Sequence, residues 1–273
     1  MRVKIFVVFH AVFSDVVFSG FDDEEVREWF VRYGVNAKQP KRMIGKDGAE
    51  AALDPRSASG GTLLEYALPI YDPKLQDRGF METSCYVHVL KNELYKGCDY
   101  VGVCQYDMRW TPPAVTALRE LALADDQSPH LIYGKSVGVI CTREERLHPL
   151  TFVDRINWAF LLNSYNSYFG TKHQPQIFIE KPLSLFQTYI MPTSEFVALA
   201  SWLSVLCDEL YPTHCRPPYE THWGSLGGKT ERAAAIFVAA RMQESGIAFR
   251  DLPLHHDENL VRQLNVTKEH YKS

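Results

Sequence analysis

The sequence predicts an α/β protein with a mostly parallel central sheet and a helical carboxyl-terminal half. Three observations carry that reading. Val3 to Phe9 (VKIFVVF) is a nearly continuous β-branched and aromatic run, as expected of a strand buried on both faces of a parallel sheet. Strand-like and helix-like segments alternate through the first half of the chain. Helical patterns dominate the second half. No repeat, low-complexity tract or linker divides the chain, so one domain over residues 1–273 is the simplest organisation.

The elements follow in order. Asp22 to Tyr33 has helical spacing, with Val26, Trp29, Phe30 and Tyr33 on one face and Gly34 as C-cap. Asn36 to Gly61 lacks a period and reads as a loop. Glu82 to Lys96 reads as a helix and Asp99 to Cys104 as a short buried strand. Pro112 and Pro113 open a helix that runs to about Leu123, since proline is tolerated in a first turn. His130 to Cys141 reads as two strands, or one bent at Gly134. Leu150 to Phe169 is a long helix and Pro175 to Met191 an extended run. Ser194 to Leu210 is helical with Ser194 as N-cap and Glu195 in its first turn. Thr230 to Glu244 closes the series.

Composition excludes several classes. With 46% hydrophobic and 23% charged residues, the chain is of ordinary globular type. Its 29 basic and 33 acidic residues give a formal charge of −4, which argues against a nucleic-acid partner. The cysteines at 85, 98, 104, 141, 207 and 215 form no CxxC pair, so they read as buried thiols of a reducing, cytoplasmic compartment. Arg2 and Lys4 precede an apolar run, but no cleavage site follows it, and no segment is long enough to span a membrane.

Chemistry concentrates at the end of one strand. In DYVGVCQYDMRW (Asp99 to Trp110) an apolar strand stops abruptly at Gln105-Tyr106-Asp107. Ligands of open α/β sheets bind beyond the carboxyl ends of strands, where a carboxylate can hold a hard divalent cation against a diphosphate. Capping of the following helix is the competing role for Asp107.

A resemblance supplies context. ETSCYVHVLKN (Glu82 to Asn92) and DYVGVCQYDMRW resemble paired segments of bacterial capsular-polysaccharide-type glycosyltransferases, relatives of which occur in large DNA viruses. Glu82, Lys91, Asn92, Asp99, Tyr100, Gly102, Cys104 and Tyr106 match. FQTYIMPTSEFVALASWL (Phe186 to Leu203), GSLGGKTERAAAIFVAARM (Gly224 to Met242, with the Glu231-Arg232 pair) and the first strand with His10 resemble further segments, in the same order. The resemblance implies a GT-A-like sandwich, its nucleotide-sugar-binding half at about 1–145 and its acceptor-side half at about 146–273. It implies a nucleotide-sugar donor, a glycan acceptor and Mn²⁺ or Mg²⁺. A viral origin would make the compartment the host cytoplasm. At the metal position this chain departs from the pattern: the family reads His-Tyr-Arg-Arg, most GT-A enzymes read Asp-x-Asp, and only Asp107 is a carboxylate here.

Other residues carry two roles each. His10 meets the base or ribose, or merely ends a strand; Glu82 contacts the nucleotide, or is a solvated helix residue. Gln187 and Thr188 line the donor sugar, as the resemblance implies, or secure the core. The loop from Gly224 to Gly228 presents backbone N–H groups to a phosphate, or is a plain turn. Arg232 pairs with Glu231 or with diphosphate oxygens. His255 or His256 completes the metal shell, as a carboxyl-terminal histidine does in many GT-A enzymes, or lies in a solvated tail. If the reaction inverts, Glu231 or Glu220 is the base. Two alternatives stand beside sugar transfer. A sugar-phosphate nucleotidyltransferase would need a Gly-rich basic loop after the first strand, which FHAVFSDVV lacks. A degenerate, non-catalytic glycan-binding module would explain the missing second carboxylate.

Overall fold

The computed structural model describes residues 1–37, 40–53, 61–77, 79–125, 130–136, 138–139, 152–184, 186–212, 226–257 and 260, with backbone only at 77, 139 and 152–157. Seven strands form the central sheet: β1 (Val3–Phe9), β2 (Phe30–Gly34), β3 (Thr62–Leu64), β4 (Tyr100–Gln105), β5 (Leu131–Gly134), β6 (Tyr189–Pro192) and β7 (Ala248–Asp251). Their order is β7-β5-β6-β4-β1-β2-β3. Every pairing is parallel except the two made by β6. The fold is thus the mixed α/β, mostly parallel sandwich that the sequence predicts.

Among the described residues, seven α-helices accompany the sheet: α1 (Asp23–Trp29), α2 (Lys74–Asp77), α3 (Thr83–Lys91), α4 (Pro112–Leu123), α5 (Phe152–Phe169), α6 (Thr193–Leu210) and α7 (Leu226–Glu244). Alternation along β1 sends Ile5, Val7 and Phe9 into one apolar cluster and Phe6 and Val8 into another. The first cluster includes residues of α1 and α4; the second gathers α3, α5, α6 and α7. Burial on both faces explains why β1 reads as an unbroken apolar run.

Several boundaries move. The helix expected over Asp22 to Tyr33 ends at Trp29, and Phe30–Gly34 becomes β2, parallel to β1. Phe30 and Arg32 face one layer while Val31 and Tyr33 face the other, so a period of two masquerades as a helical face. The helix start is sharp: Asp22 accepts from the backbone of Glu24 and Glu25, and Glu25 accepts from the backbone of Asp22. The stretch read as a loop from Asn36 contains strands Arg42–Ile44 and Glu50–Ala52, which join Val12–Ser14 in a small sheet. The extended run from Pro175 is broken by a 3₁₀ turn at Pro175–Phe178 before β6 forms. Ser194 does not cap α6, which begins at Thr193 after Pro192, whose ring offers no acceptor to the first backbone N–H groups. α7 begins by Leu226, so Gly227 and Gly228 are helical and Glu231 lies beyond the first turn. No described helix is long and apolar enough to cross a membrane. Cys85, Cys98, Cys104 and Cys207 are free thiols; Cys141 and Cys215 lie outside the described residues.

Candidate active site

The chain order creates a crevice. From β1 the chain steps outward to β2 and β3, then returns to β4 on the other side of β1 and continues away from it to β5. Connections therefore leave the carboxyl ends of β1 and β4 in opposite directions, which is where open α/β sheets receive ligands. His10 follows β1, and Tyr106 and Asp107 follow β4, with Val8 opposite Gln105 in the register between them. β6 runs the other way, so Gln187 and Thr188, at its start, lie at this same edge.

Asp107 is buried, at 6% exposure. Its Oδ2 lies 3.0 Å from Nε2 of His256, while its Oδ1 has no hydrogen-bond partner among the described residues. A two-residue antiparallel ladder builds the contact, pairing His255 with Arg109 and His256 with Met108. Asp257 ties the ladder down: its backbone N–H donates to the Asp107 carbonyl at 2.9 Å, and its carboxylate accepts from Arg109 at 3.0 Å. Strand alternation then separates the two histidines. His256 turns toward Asp107 and packs on Phe186, with ring centroids 4.9 Å apart; His255 is exposed. The buried Cys104 thiol stays protonated, pushed up by burial and then by the Asp107 charge.

Across the crevice, Glu82 occupies the N-cap position of α3 and is 8% exposed, not solvated. His10 Nε2 lies 3.7 Å from Glu82 Oε1, an ion-pair distance longer than a hydrogen bond. His10 Nδ1 is buried without a hydrogen-bond partner among the described residues, and its ring meets Tyr106 edge-on at 6.3 Å. Gln105 is half-buried beside them. These four residues and Asp107 are brought together by two neighbouring strand ends and one helix start.

The remaining residues sit deeper. The Gln187 amide is fully buried and bonded to the hydroxyls of Thr83 and Thr230. Thr188 is buried, and its hydroxyl donates to the Phe186 carbonyl at 3.2 Å. Glu231 is buried in α7, and the Tyr189 phenol is pushed up by burial first and by the Glu231 charge in addition. Arg232, 1% exposed, donates to the Gly228 carbonyl at 2.7 Å. Lys229 beside it is held below its ordinary pKa by burial and then by the Arg232 charge. Glu220 and the first part of the expected glycine loop (Gly224 and Ser225) lie outside the described residues. Sequence reasoning missed Thr83, Thr230, Phe186 and Asp257. The local sequence carried no signal for the two threonines, since Thr83 stands between Glu82 and Ser84 and Thr230 between Lys229 and Glu231. A cavity of about 600 Å³ lies elsewhere, lined by Asp15, Phe18, Arg32 and Lys46; Arg32 pairs with Asp15 and Lys46 with Asp23.

No protein-family model matches this chain, and no curated protein sequence does. Among solved structures it is similar to the apo form of WbbM, a bifunctional glycosyltransferase, with a TM-score of 0.54 at 14% identity. That match covers 95% of this chain but only 46% of WbbM, so the chain spans about half of that protein. The apo form of mouse xyloside xylosyltransferase 1 matches at a TM-score of 0.34 and 10% identity, over 91% of this chain and 85% of that one, too loosely to bear on the fold. The likeness to WbbM is one of fold: this chain has a GT-A-like α/β fold, with a mostly parallel seven-stranded sheet.

Proposed function

We propose that the chain transfers a sugar from a nucleotide-sugar donor to a glycan acceptor, using a divalent cation. One observation carries the proposal: a buried carboxylate with an open oxygen, Asp107, stands 3.0 Å from the His256 imidazole at the sheet's switch point. The pair fits a cation that keeps most of its shell for water and phosphate. Mg²⁺ is commonly held by one or two carboxylates plus substrate oxygens, and Mn²⁺ accepts the same oxygen donors. No group of three His, Cys, Asp or Glu side chains suited to a metal occurs among the described residues. When bound, Mn²⁺ or Mg²⁺ would neutralise charge building up on the leaving diphosphate.

The chain's own residues then have separable tasks. His10, Glu82, Gln105 and Tyr106 border the donor, and Arg232 pairs with the diphosphate. The acceptor hydroxyl attacks the anomeric carbon, the carbon–oxygen bond to phosphate breaks, and its electron pair leaves with the diphosphate. In an inverting reaction the hydroxyl proton passes to Glu231, or to Glu220 if Glu231 is structural. Titration of UDP- and GDP-sugars with and without Mn²⁺, in the wild type and Asp107→Ala, tests the reading. Cation-dependent binding that Asp107→Ala abolishes supports it. Cation-independent glycan binding without turnover would replace it with a binding module.

A further inference from the structure

The start of β6 combines two unusual properties. Gln187 is not glycine, yet its φ is +46°, in the left-handed region that is unfavourable for any residue with a Cβ. It is also fully buried in an apolar neighbourhood, together with Thr83 and Thr230. Such a conformation persists only where its surroundings over-determine it.

The over-determination is visible. Gln187 Nε2 donates to Thr83 Oγ1 at 2.8 Å and to Thr230 Oγ1 at 3.1 Å, while the Gln187 backbone carbonyl accepts from the Tyr86 phenol at 2.7 Å. Thr83 and Thr230 are themselves 2.6 Å apart, and Thr230 reaches the Leu226 and Gly227 carbonyls within its own helix. Each hydroxyl has one proton to give. Thr230 can spend its proton inside α7 and accept from the other two, which makes the chain of bonds directional. Thr83 opens α3, Gln187 lies two residues before β6, and Thr230 is the fifth residue of α7. Beside them the Gly227 N–H donates to the Gly79 carbonyl at 3.1 Å, and any side chain at Gly227 would run into Met81.

We propose that Gln187 is a positioning residue, clamping the amino-terminal ends of α3 and α7 to the carboxyl edge of the sheet. Its neighbours in sequence show what the clamp would set. Thr83 follows Glu82, and Thr230 precedes Glu231 and Arg232. Gln187 therefore acts through two walls of the crevice without touching the donor. The inference rests on the sugar-transfer reading for its consequence, but not for the clamp itself.

The test exploits the energetics of buried polar groups. Removing one partner leaves others unsatisfied, whereas replacing all partners by apolar groups of like shape is nearly neutral. Gln187→Met should destabilise the chain. The triple variant Thr83→Val, Gln187→Met, Thr230→Val should regain most of that stability. Amide exchange is measured on ligand-free protein, and UDP and GDP are titrated with Mn²⁺. We expect the triple variant to exchange faster at residues 226–232 and 82–86 than the wild type, and to bind the nucleotide about tenfold more weakly. Recovery of wild-type exchange and affinity along with stability would overturn the proposal. Should the triple variant fail to fold, Thr230→Val alone decides: unchanged exchange over 226–232 overturns the clamp, and faster exchange there supports it. A wild type that binds neither nucleotide defeats the donor reading, and the exchange result still judges the clamp.

Discussion

The two edges of the central sheet treat polar groups in opposite ways. At the amino edge they are paired off within the chain. The Asp99 carboxylate accepts from the Arg2 backbone at 2.6 Å, the Thr193 hydroxyl donates to the Cys98 carbonyl at 2.7 Å, and the Met1 ammonium donates to the Ala122 carbonyl at 2.6 Å. The Tyr100 phenol accepts from the Leu131 backbone where β5 begins. At the carboxyl edge, His10 Nδ1, Asp107 Oδ1 and the Tyr33 hydroxyl are buried without hydrogen-bond partners among the described residues. A native fold leaves few such atoms, because each costs about 1–3 kcal/mol. His88 and Trp158 carry such atoms within α3 and α5, but His10 Nδ1 and Asp107 Oδ1 stand together beside the switch point, where a ligand could satisfy both.

Mutations can break this comparison. The largest effect belongs to Asp107→Ala, which should lower cation-dependent turnover on the order of 10²–10³-fold, as loss of a principal electrostatic group does. Its thermal midpoint should stay nearly unchanged, since the carboxylate is half-satisfied already. Full activity, or wild-type activity in excess chelator, would show that transfer proceeds without the cation.

Glu231→Gln comes next, with kcat expected to fall on the order of 10²-fold, the lower bound for a lost general base. A loss below about tenfold with donor affinity intact would leave Glu231 structural and direct attention to Glu220.

Lys41 sharpens the contrast through pH. It packs beside Gly34 at the carboxyl end of β2, is 4% exposed, and donates to the Asn36 carbonyl at 2.6 Å. Burial lowers its pKa from 10.5 to about 8. The unfolded chain therefore holds this proton more tightly, and stability rises with pH between about 8 and 10.5. Lys41→Met should be more stable than the wild type at pH 7, by at most about 3 kcal/mol less the lost hydrogen bond. The advantage should shrink above pH 8 in denaturant titrations, and a pH-independent difference would refute the assignment.

The smallest effect tests the other edge. Thr193→Val should cost about 1 kcal/mol of stability and leave turnover at the wild-type level. A drop in turnover there would dissolve the distinction between the edges.

How much of this was readable beforehand depended on range. β1, β4 and α4 were legible because their signals are local: continuous burial, an abrupt polar stop, and prolines at a helix start. β2 was not, since FVRY satisfies both a helical face and an alternating strand, and only its pairing with β1 decides. Asp107 was legible as a strand-end carboxylate, but the choice of His256 over His255 depends on a ladder between residues far apart in sequence. Gln187 shows the same limit. Its polarity in an apolar run was visible; its partners at Thr83 and Thr230 were not.

The antiparallel strand β6 also governs the order in which the molecule can be completed. β1, β2 and β3 come from the first 64 residues and can pair with one another as soon as these exist. β5 has no neighbour on its β4 side until Tyr189–Pro192 is inserted, and β7 can add only to a β5 already in place. Close approach makes that insertion exacting, because a methyl group at Gly102 would fall 2.8 Å from Ile190 and one at Gly134 would fall 2.8 Å from Tyr189. Non-local pairings of this kind form slowly, as the loops they close must be ordered first. During synthesis the early half of the sheet therefore waits with the edge of β4 unpaired, and His256 reaches Asp107 only after β7 has been made. A chain stalled before that point would present an open strand edge for unwanted pairing.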